Sequence, residues 1–284
     1  MLDDPSTLTF VVGDVNSTMA CSITARKLGF PVAHVEAGIR SHDWTMPEEI
    51  NRVVTDAIAN WFFTTSPSAG ENLKRAGIAP ERIFFVGNTM IDTLLAHQHR
   101  FRKPFFWDAQ ALQPGNYFVV TLHRPTNVDS ERSLSRLIEA IAVGTRGLRW
   151  FFRCTTDRQV LGALPSLPAN ILAVDPQPYF EFNYLVKHAR AVITDSGGIT
   201  EEATIMGVPC LTLRDNTERP ETIDIGTNIL VGTEPARLAP VLECLFSGQW
   251  KKSGVPEKWD RQAGARIVAI FEQPPIGRSP ISGL

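Results

Sequence analysis

Short apolar, β-branched runs alternate along the chain with stretches whose apolar residues recur at helical spacing, the pattern of parallel strands joined by crossover helices. Residues 7–12 predict a first strand, followed by a helix over 16–28 that starts on the cap-competent Asn16, Ser17 and Thr18 and stops at Gly29. The pattern continues with a strand at 31–36, a helix at 47–60 opened by Pro47, a strand at 61–65, a helix at 68–76 closed by Gly77 and a strand at 83–86. A charge-rich, irregular stretch over 96–115 then reads as a connection between two units. The second unit opens on a strand at 117–122 and a helix near 130–146, with further strands at 150–153, 171–174, 191–194 and 210–213. Helical periodicity over 261–271 closes the fold, and the tail over 273–284, rich in proline, glycine and serine, is expected to fray.

This order predicts an α/β protein with two Rossmann-like domains. The expected divisions are 1–108 for the first domain with its connection, 109–257 for the second, and 258–284 for a C-terminal crossover helix and tail. The first domain offers about four strands, where a complete doubly wound domain has five or six. It therefore reads as incomplete, either small or lacking its first βα units.

Composition narrows the function classes. With 43% hydrophobic and 20% charged residues the chain is a globular protein rather than a disordered one. A formal net charge of -2 leaves no electrostatic footprint for nucleic acid or an anionic membrane surface, so a phosphate site has to be built locally from a few aimed groups. No apolar run approaches the roughly 20 residues that span a bilayer, and the start Met1-Leu2-Asp3-Asp4-Pro5 is acidic, so a cytoplasmic protein is expected. Cys21, Cys154, Cys210 and Cys244 are widely separated, which favours buried, reduced thiols over a disulfide or zinc framework.

In open α/β sheets ligands sit beyond the carboxyl ends of the strands, so polar groups immediately after strands come first. Asp14 follows the first strand just before a helix, where a helix cap or turn role is the alternative. Glu36 ends a buried strand, where a charge needs a partner or a job; Arg40 is a candidate ion-pair partner. Glu48 and Glu49 lie in the first turn of a helix, a placement that the helix dipole favours by itself. His123 and Arg124 follow the strand over 117–122, an imidazole suited to proton transfer or phosphate contact beside a guanidinium suited to clamping an anion. The strongest local signal is Thr194-Asp195-Ser196-Gly197-Gly198, a strand that turns directly into a helix. Backbone N–H groups, a hydroxyl and the positive helix end converge there, and the glycines let a pyrophosphate approach closely. Glu202 in the same helix is placed to accept from ribose hydroxyls, or simply to complement the dipole. Arg219 lies in a dense charged loop after the next strand, where it neutralises phosphate or locks the loop, unless the segment is a solvated charge run. Residues 176–182, with Gln177 and Phe182, offer either a base-stacking wall or core packing.

Taken together, Gly13-Asp14, His34-Val35-Glu36-Ala37-Gly38, Pro47-Glu48-Glu49-Ile50-Asn51-Arg52, Thr121-Leu122-His123-Arg124, Thr194-Asp195-Ser196-Gly197-Gly198 and Thr217-Glu218-Arg219-Pro220-Glu221 resemble the non-hydrolysing UDP-N-acetylglucosamine 2-epimerases in identity, order and spacing. The resemblance runs from about residue 8 to Phe271. It implies a glycosyltransferase-B-like architecture, two Rossmann-like domains facing a cleft with a C-terminal helix returning toward the first. It also implies interconversion of UDP-N-acetylglucosamine and UDP-N-acetylmannosamine by elimination and re-addition of UDP, with no NAD and no metal, in a homodimer. Carried over, Asp14, Glu36 and Glu48 are the acid/base carboxylates and His123 a catalytic or phosphate-contacting imidazole. Ser196, Gly197 and Gly198 hold phosphate, Glu202 the ribose, Gln177 and Phe182 the uracil, and Arg124 and Arg219 the nucleotide or its loop.

The chain departs from the family pattern in three places. Nothing upstream of Asp14 matches the family's opening strand and Gly-Thr-Arg-Pro-Glu loop, which agrees with the short strand count and reads as an N-terminal truncation. Thr126 stands where the family usually has a glutamate before Asn127. Arg153-Cys154-Thr155-Thr156 replaces a His-Pro motif whose histidine contacts an activating second UDP-N-acetylglucosamine in bacterial members, so such activation is not expected. Alternatives to the epimerase are a catalytically impaired UDP-sugar-binding remnant and an epimerase of a related UDP-diacetamido sugar.

Overall fold

The structure, a computed structural model, describes residues 8–154 and 169–272. Thr7, Thr155, Thr156 and the tail from 273 lie outside the described residues, as does the side chain of Cys154. The chain forms two compact units, one of residues up to 96 with those from 257 onward, the other of residues 97–256.

The first unit carries strands β1 (Thr9–Val12), β2 (Val32–Val35), β3 (Trp61–Thr64) and β4 (Ile83–Phe85). They pair in parallel in that order, with Val11 opposite His34 and His34 opposite Phe62. Helices α1 (Asn16–Lys27), α2 (Pro47–Ile58), α3 (Pro67–Arg75) and α4 (Thr89–His97) alternate with the strands. Proline opens α2 and α3, and the Ser66 side chain caps α3 by accepting from the Ala69 N–H at 3.4 Å. Neighbouring strand residues bury to opposite faces. Val32 and Phe62 join Val11 and Leu73 in one cluster, while Ala33 and Phe63 join Val35 and Val86 in another. In β2 and β3 both faces are buried, which is why these two strands read as continuous apolar runs, whereas Phe10 and Val12 of β1 are exposed. Helix α4 was not read from the sequence; Asn88 precedes it, and its Oδ1 accepts from the Met90 N–H at 2.9 Å.

The last described helix of the chain, Ala263–Glu272, belongs to this first unit. Its Ile267 enters the cluster of Phe63 and Val86, and the Phe271 ring meets Phe10, Trp61 and Phe63 at centroid distances of 5.4, 5.7 and 5.7 Å. The Gly264 N–H donates to Asp92 Oδ2 at 2.8 Å and Arg266 Nη1 to the Val86 carbonyl at 2.9 Å.

The second unit is a six-stranded parallel sheet. Its strands are β5 (Tyr117–Leu122), β6 (Arg149–Cys154), β7 (Ile171–Ala173), β8 (Ala191–Thr194), β9 (Cys210–Thr212) and β10 (Asn228–Leu230), in the order β10-β9-β8-β5-β6-β7. The crossovers include α5 (Pro125–Val128), α6 (Glu131–Gly144), α7 (Tyr179–His188), α8 (Gly197–Met206), α9 (Pro220–Asp224) and α10 (Leu238–Phe246). The stretch over 96–115 is packed rather than merely connecting, because Phe106, Trp107 and Leu112 are buried in the core of this unit beside Tyr117 and Phe151.

The expectation of buried cysteines is corrected for two of them. Cys210 is buried, with its thiol pushed up to about 12 by burial, but Cys21 and Cys244 are exposed; all three are free thiols. The buried stripe of α1 is Thr18, Ser22 and Ala25 and that of α10 is Leu238, Leu242 and Leu245, and both cysteines fall off those stripes. Among the described residues no helix is long and apolar enough to cross a membrane.

Candidate active site

In the first unit the site residues gather where β1 and β2 end. The chain leaves β1 through Gly13, whose φ is +68°, and the Gly13 N–H donates to the Val35 carbonyl at 3.0 Å. It leaves β2 through Glu36, a non-glycine residue at φ +72° whose N–H donates to the Phe63 carbonyl at 2.9 Å. A long side chain in the left-handed region costs energy, and such residues concentrate at functional sites. A Cβ at position 13 would lie 3.7 Å from Glu36 Oε2, so the Glu36 carboxylate rests against the turn that carries Asp14.

Asp14 does not cap α1, whose N-cap has no side-chain hydrogen bond. Its carboxylate instead receives Arg52 Nε at 2.9 Å and Arg52 Nη2 at 2.5 Å, while Asn51 Nδ2 donates to the Asp14 carbonyl at 2.8 Å. Arg52 is buried and spends its remaining reach on Glu49, at 3.1 Å. The two neighbouring glutamates of α2 therefore part company. Glu49 is buried and also accepts from the Ser41 N–H at 2.9 Å, the Ser41 hydroxyl at 3.0 Å and the His42 N–H at 3.1 Å. Burial pushes its carboxyl up, but these donors and Arg52 together hold it below the ordinary carboxylate value. Glu48 stays partly exposed, one helical turn before Arg52. Arg40, the candidate partner of Glu36, pairs with Asp56 at 2.7 Å.

In the second unit the sites cluster at the ends of the central strands β5, β8 and β9. Asp195 follows β8, is fully buried, and acts as a hub. It takes His123 Nδ1 at 2.6 Å, the backbone N–H groups of His123 and Arg124 at 3.1 and 3.0 Å, and Asn127 Nδ2 at 3.0 Å. Burial pushes its carboxyl up, yet the imidazole and the other donors bring it below the ordinary value. With Asp195 ionised, Nδ1 of His123 carries its hydrogen and Nε2 is the ring nitrogen left for a ligand. The His123 side chain is 40% exposed. Thr126 is exposed, whereas Asn127 is buried.

Ser196 precedes α8 with no side-chain cap, and its N–H donates to Thr194 Oγ1 at 3.0 Å. Gly197 and Gly198 open the helix, where the first N–H groups have no intrahelical acceptor. A Cβ at Gly197 would come within 2.9 Å of Glu218 Oε1. Glu218 is itself held by Arg214 at 2.6 Å and approached by Arg124 at 4.0 Å. Two arginines and a carboxylate thus border the glycine turn. Arg219 is buried and pairs with the fully buried Glu201 at 3.0 Å, the arrangement of a loop lock. Glu202 accepts from the Tyr179 hydroxyl at 3.0 Å, and burial pushes its carboxyl above the ordinary value. Gln177 Nε2 donates to the Asp175 carbonyl at 2.8 Å. Gln177 and Phe182 border one small recess with Val119 and Phe151, but the Phe182 ring is buried in the core, so it packs rather than presenting a stacking face.

Arg52, Asp195, Asn127, Arg214, Glu218 and Tyr179 were not assigned roles from sequence. The signal for Asp195 was present: a carboxylate at the end of a fully buried strand needs several donors, and the His123-Arg124 backbone is the natural supply.

The family model for UDP-N-acetylglucosamine 2-epimerase matches residues 4–272. The chain is 39% identical to the UDP-N-acetylglucosamine 2-epimerase of Methanocaldococcus jannaschii over 286 aligned positions, 95% of this chain and 76% of that protein. It is 38% identical to the UDP-2,3-diacetamido-2,3-dideoxy-D-glucuronate 2-epimerase of Pseudomonas aeruginosa, over 78% of this chain and 62% of that one. The crystal structure of the Methanocaldococcus jannaschii enzyme in complex with UDP-GlcNAc and UDP matches with a TM-score of 0.83, at 38% identity over 95% of this chain and 76% of that one. A model match across nearly the whole described chain and a well-covered relative lead to one assignment: this chain belongs to the UDP-N-acetylglucosamine 2-epimerase family.

Proposed function

We propose that the chain interconverts UDP-N-acetylglucosamine and UDP-N-acetylmannosamine at C2. The observation that carries this reading is the family match over residues 4–272, which includes both groups of strand-end residues described above. The C2 proton is not adjacent to a carbonyl and is barely acidic, so direct deprotonation is a poor route. In the proposed course a carboxylate of the Asp14, Glu36 and Glu48 set takes that proton while the bond between C1 and the UDP oxygen breaks, giving 2-acetamidoglucal and UDP. UDP then adds back at C1 while C2 receives a proton from the opposite face. The sequence of steps is redox-neutral and returns every proton it takes.

The leaving UDP carries the developing charge, and the second unit is suited to receive it. The Ser196 hydroxyl, the N–H groups of Gly197 and Gly198, and Arg124 are proposed to bind the phosphates. His123, fixed through Nδ1 by Asp195, is proposed to present Nε2 to the leaving phosphate. Glu202 is assigned to the ribose and Gln177 with the 182 region to the uracil, while Arg219 holds the loop. The same reading carries a homodimer, expected from the family resemblance, and a cytoplasmic location, in keeping with the free thiols Cys21 and Cys244 at the surface. A second reading, a UDP-diacetamido-uronate substrate, has the weaker support: the Pseudomonas aeruginosa relative is 38% identical over 78% of this chain, against 39% over 95% for the Methanocaldococcus jannaschii one.

The test is incubation of the purified protein with each UDP sugar in deuterated water, following C2 by proton NMR. Deuterium at C2 together with the manno epimer from UDP-N-acetylglucosamine is the expected result. Exchange only with the diacetamido uronate would establish the second reading. No exchange with either, in folded protein that binds UDP, would overturn the epimerase assignment.

A further inference from the structure

The reaction as proposed makes no use of His34, Asp56 or Arg40, three groups in or beside the core beneath the Gly13-Asp14 turn. His34 is fully buried in the middle of the sheet, on β2. Its Nε2 lies 2.9 Å from the Gly13 carbonyl oxygen and its Nδ1 lies 2.7 Å from Asp56 Oδ1. A carbonyl oxygen only accepts, so Nε2 carries a hydrogen. Asp56, buried on α2, has its other oxygen occupied by Arg40 Nη2 at 2.7 Å and by the Gly38 N–H at 3.2 Å. A carboxyl group beside a guanidinium stays ionised, so Oδ1 is an acceptor too and Nδ1 also carries a hydrogen. A ring that donates from both nitrogens is an imidazolium.

We infer that His34 is a buried imidazolium that serves as a positioning residue for the epimerisation: one N–H anchors the carbonyl of Gly13, and so the turn that presents Asp14, while the other ties that turn to Asp56 on α2. The positioning role rests on the functional reading above; the ionic state does not. Every charged group facing the ring fits it. Burial pushes the imidazole down, but the hydrogen bond and charge of Asp56, the Gly13 carbonyl and the nearby charge of Glu36 outweigh it and leave His34 above its ordinary value. Asp56, pushed up by burial, is brought below its own by His34 and Arg40. The ring therefore links the carboxylate-bearing turn of β1 to the same helix that supplies Arg52 to Asp14 and bears Glu48. The two connections run from one rigid element, so the position of Asp14 relative to Glu48 is set twice, through the side chain by Arg52 and through the backbone by His34.

The ionic state is tested in the resting wild-type protein with 15N-labelled histidine. The chain has six histidines, and the His34 signal is the one lost in His34→Gln or, should that variant not fold, the one that survives single replacement of each of the other five. Two protonated ring nitrogens are expected to persist to higher pH than in the exposed histidines of the same protein. A single protonated nitrogen at neutral pH overturns the inference, and a ring that stays cationic in Asp56→Asn overturns Asp56 as the charge that holds it so. The positioning role is tested by kinetics of His34→Gln, corrected for folded fraction. It is expected to lower kcat about tenfold or more with KM within about twofold, the pattern of a lost transition-state geometry. Unchanged kcat in the folded fraction would mean a purely structural ring. Absence of turnover in the wild type would overturn the positioning role together with the functional reading, while the spectrum still decides the ionic state.

Discussion

His123 and Asp195 stand 72 residues apart in sequence and meet at 2.6 Å between Nδ1 and Oδ1, at the ends of adjacent parallel strands. The same carboxylate accepts from the backbone N–H of His123, so ring and backbone are fixed by one buried group. Asp195→Asn replaces one acceptor oxygen by a donor, which must then face an N–H of His123, Arg124 or Asn127. The imidazole loses its fixed tautomer. Steady-state kinetics should show kcat/KM reduced on the order of 10²-fold or more, the scale of a general acid–base contribution, whereas circular dichroism should show the fold retained. A variant with near wild-type kcat/KM would mean that His123 is not held for catalysis by this contact.

Arg52 makes the corresponding link in the first unit, between Asp14 and the buried Glu49. Lysine has a single ammonium and cannot reproduce a fork that reaches both carboxylates. Arg52→Lys is expected to destabilise the protein by about 1–3 kcal/mol, the range for losing charge-assisted hydrogen bonds in a buried site, as read from urea denaturation. Its kcat should fall while UDP affinity, measured by calorimetry, stays within about twofold, because substrate binding assigned to the second unit is untouched. A parallel loss of UDP affinity would contradict the division of labour.

Much of this architecture was legible in the chain, and the gaps have physical causes. Strands buried on both faces announce themselves through runs such as Pro31 to Val35 and Trp61 to Thr64, where alternate residues feed separate clusters. Helix α10 was not read from the sequence; Pro240 lies within it, but in the first turn, where no intrahelical N–H is needed. The site residues are equally uneven. Asp14, Glu36 and His123 are visible as polar groups at strand ends, but Glu48 and Glu49 look alike in sequence. What separates them is the backbone of Ser41 and His42, folded over Glu49 by a loop whose path no local pattern encodes. Phe182 shows the reverse error: an aromatic residue beside a binding segment invites a stacking role, while volume and burial place its ring in the core.

Glu49 and Glu202 are expected to contribute to pH-dependent stability with opposite signs. The carboxyl of Glu49 lies below its ordinary 4.5 in the folded protein, so its stabilisation is present above that value and is lost as pH falls through the lower folded value. Glu49→Gln should therefore be less stable than wild type at pH 7, by about 1–3 kcal/mol for the lost charge-assisted bonds, with the gap closing in acid. Thermal melts between pH 3 and 7 would expose a constant gap, and with it a wrong assignment.

For Glu202 the folded carboxyl lies above its ordinary 4.5, because burial outweighs the hydrogen bonds from Tyr179 and Asn183. The folded state binds the proton more tightly, so stability declines as pH rises from the unfolded value through the folded one, and the cost is complete above it. Glu202→Gln removes that cost. The variant should melt higher than wild type at pH 8 and lose its advantage below pH 4, and an advantage independent of pH would show that packing rather than ionisation is responsible.

At Gly197 helix propensity and local packing pull in opposite directions. It lies at the start of α8, where alanine is the better helix former by roughly 0.5–1 kcal/mol, and its φ is not in the left-handed region. An added Cβ, however, would meet Glu218 Oε1 at 2.9 Å, closer than real carbon contacts allow. The far end of a glutamate could ordinarily swing aside, but this one is tied to Arg214 at 2.6 Å, so the methyl group must displace an ion pair of two buried residues. It would also fill space at the helix end where phosphate oxygens are proposed to approach the N–H groups. Gly197→Ala is thus expected to lower the melting temperature without ligand, because disturbing a buried ion pair costs more than the helix-propensity gain, and to weaken UDP binding about tenfold or more, the scale of one lost charge-assisted contact. Titration calorimetry with UDP beside melting curves of the free protein reads both quantities on one sample. Wild-type UDP affinity in a folded Gly197→Ala protein would remove the glycine turn from the phosphate site.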